Sequence, residues 1–337
     1  MQCRCSQPTW GDMHVPFRLT VMAAVGGVAV GALITWSVAV PSRAAPSTRA
    51  AAVSLRERPH KQARPMVSAT PAKPPLVVTG TPSNVQLKAG ALEDAATGTL
   101  LWSQGLNTEL PMGSITKVMT ALVVIDSGPL TREIQVPQSV IAYVNQYGGN
   151  SAGLQPGDML TAQELLEAML LPSGCDAAYT LAMAYGPGMP AFLGKMNAMA
   201  KKLGLLHTEF TSPDGLPYPT EYSTFSTPAD LIALGQAAMA SPVFSAIVAQ
   251  QNYTLPAGPG HHAYSWANDN SLVGSYPGAD GIKTGYTNAA LHCLLFEASR
   301  GGLTLIGVVL GAPATGPDSG AQQAAQILNW GFSLRRT

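Results

Sequence analysis

Charge is what this sequence has least of: 11% of its 337 residues are Asp, Glu, Lys or Arg, against about 25% in ordinary globular proteins. Nineteen basic and nineteen acidic residues cancel to a formal net charge of zero, so no global field steers the chain to nucleic acid or to an acidic partner. Cysteine is nearly absent. Four residues are too few for a disulfide scaffold, and Cys3, Cys5, Cys175 and Cys293 match no zinc spacing. There is no H-E-x-x-H, and His261-His262 sits in a Gly/Pro loop without a third ligand, so the pair is expected to be solvated and no metal or cofactor is expected. No repeat of 20 to 50 residues is visible.

What is present falls into three segments. Residues 19–40 form an uncharged run of twenty-two between Arg18 and Arg43, which at about 1.5 Å per residue spans a bilayer core. The run is read as a transmembrane anchor or a signal sequence. Its length favours the anchor, whereas Ser42-Arg43-Ala44 offers small residues for a signal peptidase. Residues 1–18 would then be cytoplasmic, with Met13 as a second candidate start. The arginines at 43, 49, 56 and 58 outnumber those before the run and by themselves favour the opposite orientation. Residues 41–84 hold eight Pro, no aromatic, seven Arg or Lys and one Glu. Such a stretch buries too little apolar surface to order itself and reads as a disordered linker.

Residues 85–337 read as one folded unit of ten basic and seventeen acidic residues, a net of −7, so neutrality of the whole chain is a sum of opposites. Strands at 89–95 and 99–103 flank an Ala96-Thr97-Gly98 turn. A helical pattern follows Pro111 from 112 to 126, and Thr161-Ala162-Gln163-Glu164 is a capping box opening a helix to about 171. Further helices are expected at 175–185, 190–203, 228–240 and 319–332, and strands at 281–287, 291–299 and 303–311, the last two joined by an Arg300-Gly301-Gly302 turn. Strands at both ends with helices between predict an α+β fold with one antiparallel sheet completed by distant segments.

Three short motifs carry the chemistry. Ser114-Ile115-Thr116-Lys117 sets a hydroxyl and an amine three residues apart on a helical first turn, where they share one face. A serine hydroxyl needs a base, and a lysine serves if burial or another cation lowers its pKa. Lys283-Thr284-Gly285 lies on an expected strand, whose alternation sends Lys283 and Gly285 to one face and Thr284 to the other. Between them, Ser173-Gly174-Cys175 stands at a helix-to-helix junction.

These elements, in this order, resemble S-x-x-K, S-x-N and K-T-G of the penicillin-binding and serine β-lactamase superfamily, most closely the serine D-alanyl-D-alanine carboxypeptidases. Supporting stretches include Ser212-Pro213-Asp214-Gly215-Leu216 and Asp280-Gly281-Ile282 before the last motif. The resemblance implies a five-stranded antiparallel sheet flanked by helices, with a mainly helical subdomain. It also implies removal of the terminal D-Ala from peptidoglycan stem peptides, with β-lactams as covalent inhibitors. Ser114 would be the nucleophile, Lys117 its general base and Ser173 a proton relay. Cys175, Lys283, Thr284, Gly285 and Tyr286 would bind substrate, and the backbone N–H groups of Ser114 and Tyr286 would form the oxyanion hole. Because that substrate lies outside the cytoplasmic membrane, the resemblance overrides the arginine signal for orientation.

The sequence departs from the pattern at three places. Cys175 replaces the Asn of the second motif, and a thiol donates and accepts only weakly. Ser212 stands where Asn is favoured, and Leu291-His292 replaces the Gly expected before Cys293. By the fold analogy Cys175 and Cys293 lie apart as two buried thiols. Cys175 also leaves open a non-catalytic wall-peptide binder, while a β-lactamase is disfavoured because no E-x-x-x-N loop lies between Cys175 and Lys283.

Overall fold

The computed structural model describes residues 76–336 except 314, 315 and 317. The expected membrane segment at 19–40 and residues 41–75 of the expected linker lie outside the described residues. In chain order the elements are β1 (Leu76–Val77), β2 (Ala89–Asp94), β3 (Thr99–Gln104) and β4 (Leu110–Pro111), then a 3-10 turn over Gly113–Thr116 that leads into α1 (Lys117–Asp126). β5 (Glu133–Gln135), α2 (Ser139–Tyr147), β6 (Met159–Thr161), α3 (Ala162–Leu170), α4 (Cys175–Tyr185) and α5 (Met189–Lys202) follow. Next come β7 (Phe225–Ser226), α6 (Pro228–Met239), α7 (Pro242–Val248), β8 (Asn252–Leu255) and β9 (Tyr264–Ala267). The chain closes with β10 (Ala279–Thr287), β11 (Leu291–Arg300), β12 (Leu303–Ala312), α8 (Ser319–Ser333) and β13 (Arg335–Arg336).

The main sheet runs β10-β11-β12-β2-β3 with every neighbour antiparallel, so the two ends of the domain build one sheet, as the α+β reading expects. Side chains alternate between two cores. Leu294, Phe296 and Ala298 of β11 face Ala324, Ile327 and Leu328 of α8. Cys293 and Leu295 face the opposite way, into the core that holds Leu231 and Leu234 of α6. β10 is an edge strand and carries the Lys283-Thr284-Gly285 motif.

Helix α1 is apolar almost all round and is buried from Lys117 to Val124 except at Leu122. It packs against α3, α4, α5 and α6, a central position that the all-round apolar pattern requires. Each such buried aliphatic side chain contributes about 1.5–3 kcal/mol. The capping box forms as read: Thr161 Oγ1 accepts from the Glu164 amide at 3.2 Å, and the Thr161 amide donates to Glu164 Oε2 at 2.7 Å. Ser319 opens α8, and Pro228 the first turn of α6, where a missing N–H is harmless.

Two expectations need correction, and several elements had none. Residues 112–126 form not one helix but a 3-10 turn followed by α1. Residues 76–84, expected in the linker, belong to the domain: β1 pairs with β13, and Trp330 Nε1 donates to the Thr79 carbonyl at 3.2 Å. Local composition could not show this, because the partner strand lies at the far end of the sequence. Helices α2 and α7 and the paired short strands β4/β7, β5/β6 and β8/β9 had no expectation; α2 buries only Val140, too little for a periodic signal. Among the described residues no single helix is long and apolar enough to cross a membrane.

One polar clasp joins distant loops near the helical side. Asp158 is buried and accepts from the Tyr264 hydroxyl at 2.5 Å and the His262 amide at 2.9 Å, with His262 Nδ1 at 3.0 Å. Burial by itself would raise the carboxyl, but these hydrogen bonds and the His262 charge outweigh it, leaving it below its ordinary 3.8. A depressed folded-state pKa contributes stability that is present above the unfolded value and lost as pH falls through the folded one. We therefore expect Asp158→Asn to melt below the wild type at pH 7, with the gap narrowing below about pH 4. Thermal melts across that range check this, and a pH-independent gap would contradict it.

Candidate active site

The 3-10 turn is the origin of the site. In that geometry residues i and i+3 eclipse, so Ser114 and Lys117 are brought into line, and Lys117 Nζ lies 2.8 Å from Ser114 Oγ. Ser114 is half-buried and lines the cleft, whereas Lys117 is fully buried. A buried amine needs partners. Besides Ser114, Lys117 Nζ donates to the main-chain carbonyl of Asp214 at 3.1 Å and to Cys175 Sγ at 3.4 Å.

The second motif sits where α4 begins. Ser173 is buried with φ +63°, a left-handed conformation that for a non-glycine residue costs about 1–3 kcal/mol and persists only where surroundings impose it. Here the imposed conformation places Ser173 and Cys175 on the cleft wall. The Cys175 amide donates to the Asn150 carbonyl at 2.8 Å, and Gly149 packs so tightly that a β-carbon there would lie 2.7 Å from Cys175 Sγ. The N-termini of the α1 and α4 segments thus converge on one cleft, each presenting a positive dipole end.

The third motif comes from the sheet edge. Lys283 is buried, Thr284 lines the cleft on the other face, and the backbone of Gly285 reaches the cleft as well. Lys283 Nζ nevertheless curls back to donate to Thr284 Oγ1 at 2.9 Å. Gly285 has to be glycine, because a β-carbon would be driven into the Met112 carbonyl. The same close approach sets Gly113 against the next residue of the strand: a β-carbon on Gly113 would lie 2.7 Å from the Tyr286 amide nitrogen. The backbones of Gly113-Ser114 and Tyr286 therefore meet at the head of the cleft.

Electrostatics follow from burial. Lys283 is brought down from 10.5 to about 7, first by burial and second by the charge of Lys117, with Asp269 and Cys175 acting in the other direction. Burial pushes the Cys175 thiol up to about 12 against the pull of Lys117, which keeps it a neutral thiol. Cys175 and Cys293 are both free and buried, as expected.

The cleft has a volume of about 490 Å³. Its lining includes Ser114, Ser173, Cys175, Thr284, Gly285 and Tyr286, and it adds residues that had no assigned role, among them Tyr147, Asn150, Asp269 and His292. Ser212, standing where Asn is favoured, accepts from the Gly215 amide at 3.0 Å and donates to the Leu216 carbonyl at 3.1 Å, closing its own loop. Leu291 adopts φ +60° at the place where Gly was expected, and His292 packs its ring on Tyr286 at 4.8 Å. Asp214, quoted only as part of a supporting stretch, holds the Lys117 amine. Its Pro-Asp-Gly turn was legible, but the carbonyl's target was not. His261 and His262 lie away from this cleft, and no group of His, Cys, Asp or Glu among the described residues is arranged to hold a metal.

Lys283 offers a direct check of this burial. Between pH 7 and 10.5 the unfolded chain binds a proton at Lys283 that the folded chain does not, so this residue's contribution to stability rises with pH through that window and is lost as pH falls. Thermal melts of wild type and Lys283→Met should move apart in favour of the wild type from pH 7 to pH 9. A constant difference would refute the lowered amine.

Comparisons with known proteins agree with the geometry. Residues 77–314 match the profile of the D-alanyl-D-alanine carboxypeptidase family. The chain is 37% identical over 284 residues to the D-alanyl-D-alanine carboxypeptidase of Streptomyces sp. strain K15, covering 80% of this chain and 93% of that protein. It is 39% identical over 244 residues to the carboxypeptidase DacB2 of Mycobacterium tuberculosis, covering 72% and 80%. Among solved structures, the Streptomyces K15 DD-transpeptidase superposes with a TM-score of 0.71 at 36% identity, over 76% of this chain and all of that one. A D-alanyl-D-alanine carboxypeptidase from Mycobacterium tuberculosis gives 0.68 at 35% identity, over 76% and 97%. On its motifs, its fold and these relatives together, the chain belongs to the D-alanyl-D-alanine carboxypeptidase family of serine peptidases.

Proposed function

We propose that the protein removes the terminal D-Ala from peptidoglycan stem peptides through an acyl-enzyme on Ser114. The observation that carries this reading is the Lys117 amine, buried and 2.8 Å from Ser114 Oγ. A neutral amine has two hydrogens and one lone pair. As the base Lys117 would take this form, its two hydrogens going to the Asp214 carbonyl and Cys175 Sγ and its lone pair to the Ser114 hydroxyl 2.8 Å away.

In the first step Ser114 Oγ bonds to the carbonyl carbon of the penultimate D-Ala while its proton passes to Lys117 Nζ. The carbonyl oxygen takes up the electron pair and is received by the Ser114 and Tyr286 amides, donors whose individual loss costs about 3–4 kcal/mol. Collapse breaks the peptide C–N bond. The departing D-Ala amine receives its proton through Ser173, and its carboxylate is held by Lys283 and Thr284. Water then repeats the cycle at the ester and regenerates Ser114. An amine acceptor in place of water would make the same intermediate a transpeptidase, and the name of the Streptomyces structural neighbour favours testing for both outcomes.

Cys175 modulates this scheme. Its sulfur accepts from Lys117, and the thiol donates only distantly, to the Ser173 carbonyl at 3.9 Å. One weakened substrate hydrogen bond costs about 1–3 kcal/mol when a buried peptide group is left unpaired. The enzyme is accordingly read as active and slower than an Asn-bearing relative.

The substrate places the domain on the outer face of a bacterial cytoplasmic membrane, held by residues 19–40 or released after their cleavage. Cell fractionation with N-terminal sequencing decides between the two.

The test of function is D-Ala release from a D-Ala-D-Ala-terminated peptide, paired with labelling by a fluorescent penicillin. Wild type should release D-Ala and take covalent label, and Ser114→Ala should do neither. Label retained in Ser114→Ala would place the nucleophile elsewhere, and a wild type inert in both assays would favour a wall-peptide binder.

A further inference from the structure

Beside the cleft, one polar contact brings a residue that the scheme above does not use to one that it does. The Tyr143 hydroxyl of α2 donates to Asp214 Oδ2 at 2.9 Å. Asp214 is fully buried. Its other carboxylate oxygen accepts from the Leu216 amide at 3.1 Å, and its main-chain carbonyl accepts from Lys117 Nζ at 3.1 Å. A buried carboxylate requires donors, and Tyr143 supplies the one for Oδ2. Burial first, and the Asp214 charge second, push the Tyr143 hydroxyl above its ordinary value, so it stays a donor at every physiological pH.

The loop carrying Asp214 lies directly on the catalytic turn. Thr120 Oγ1 donates to the Pro213 carbonyl at 2.5 Å, and Gly215, at φ +85°, abuts the Gly113 carbonyl. The carboxylate held by Tyr143 and the carbonyl that accepts from Lys117 thus belong to one residue of a tightly packed loop.

We propose that Tyr143 is a positioning residue for acylation: its hydroxyl fixes the Asp214 carboxylate and, through the same residue's carbonyl, aims the Lys117 amine at Ser114. The proposal rests on the reading of Lys117 as the base. Tyr143 touches no reacting atom. Its ring has a separate structural task, stacking on Tyr179 of α4 at 4.5 Å and meeting Tyr147 edge-on at 5.1 Å. Tyr143→Phe keeps both ring contacts and deletes only the donor.

The experiment resolves penicillin acylation of the full chain into its non-covalent binding constant and its acylation rate constant. Tyr143→Phe should lower the acylation rate constant by about tenfold, the effect of roughly one lost hydrogen bond to a charged group, with the binding constant unchanged and the protein still folded at the assay temperature, its melting temperature lowered by the loss of that one buried hydrogen bond. Asp214→Asn should also slow acylation, and the double variant should be no slower than Asp214→Asn alone, because both act through one route. A labelled wild type with unimpaired Tyr143→Phe overturns the proposal alone, as do independent, multiplying effects of the two substitutions. A wild type that takes no label overturns the acylation reading and this proposal with it.

Discussion

The structure turns on one buried amine. Lys117 has no exposed surface, and an amine so placed without acceptors would cost several kcal/mol. Its three partners come from three separate pieces of chain: Ser114 from the 3-10 turn, Asp214 from the loop before β7, and Cys175 from the start of α4. Satisfying it therefore assembles the site. The helical body that packs around α1 removes the amine from water, and the same packing keeps the Ser114 hydroxyl within its reach.

The sheet supplies the opposing wall. A strand at the edge of five antiparallel strands is held along its whole inner side by β11, so Thr284, Gly285 and Tyr286 are presented at a fixed height against the turn that carries Ser114. This rigidity matters because the two backbones approach too closely for any side chain at Gly113 or Gly285. It also explains the second buried lysine. Lys283 lies behind the cleft wall and is tied to Thr284, which places a titratable cation next to the position that a substrate carboxylate would take. Charge interactions at an amine so buried are stronger than at the surface.

The sequence showed unequally how much of this would come together. Helices with a strong apolar stripe or a cap were legible: α3 through its Thr161–Glu164 box, α4 and α6 through their periodicity. The sheet strands β10, β11 and β12 were legible through turn residues and length. The pairing of Ser114 with Lys117 was legible because it is local. What escaped was everything set by distant partners. α2 buries a single apolar residue, yet it carries Tyr143. The strand β1 exists only because β13 returns to it. The role of the Asp214 carbonyl is a main-chain property that no side-chain pattern reports. Leu291 shows the converse case, a residue held at φ +60° where Leu291-His292 replaces the Gly of the family pattern.

The charge distribution places this machinery in context. The folded part is acidic and the residues before it basic, an asymmetry that a net charge of zero conceals. The central claim, however, concerns a single proton acceptor. Its most direct test is the rate of covalent trapping of Ser114 by a β-lactam in Lys117→Met, followed by intact-protein mass. The account predicts a fall of at least about a hundredfold, the range expected when a general base is removed, in a protein that still folds. Trapping at the wild-type rate would mean that another group takes the Ser114 proton.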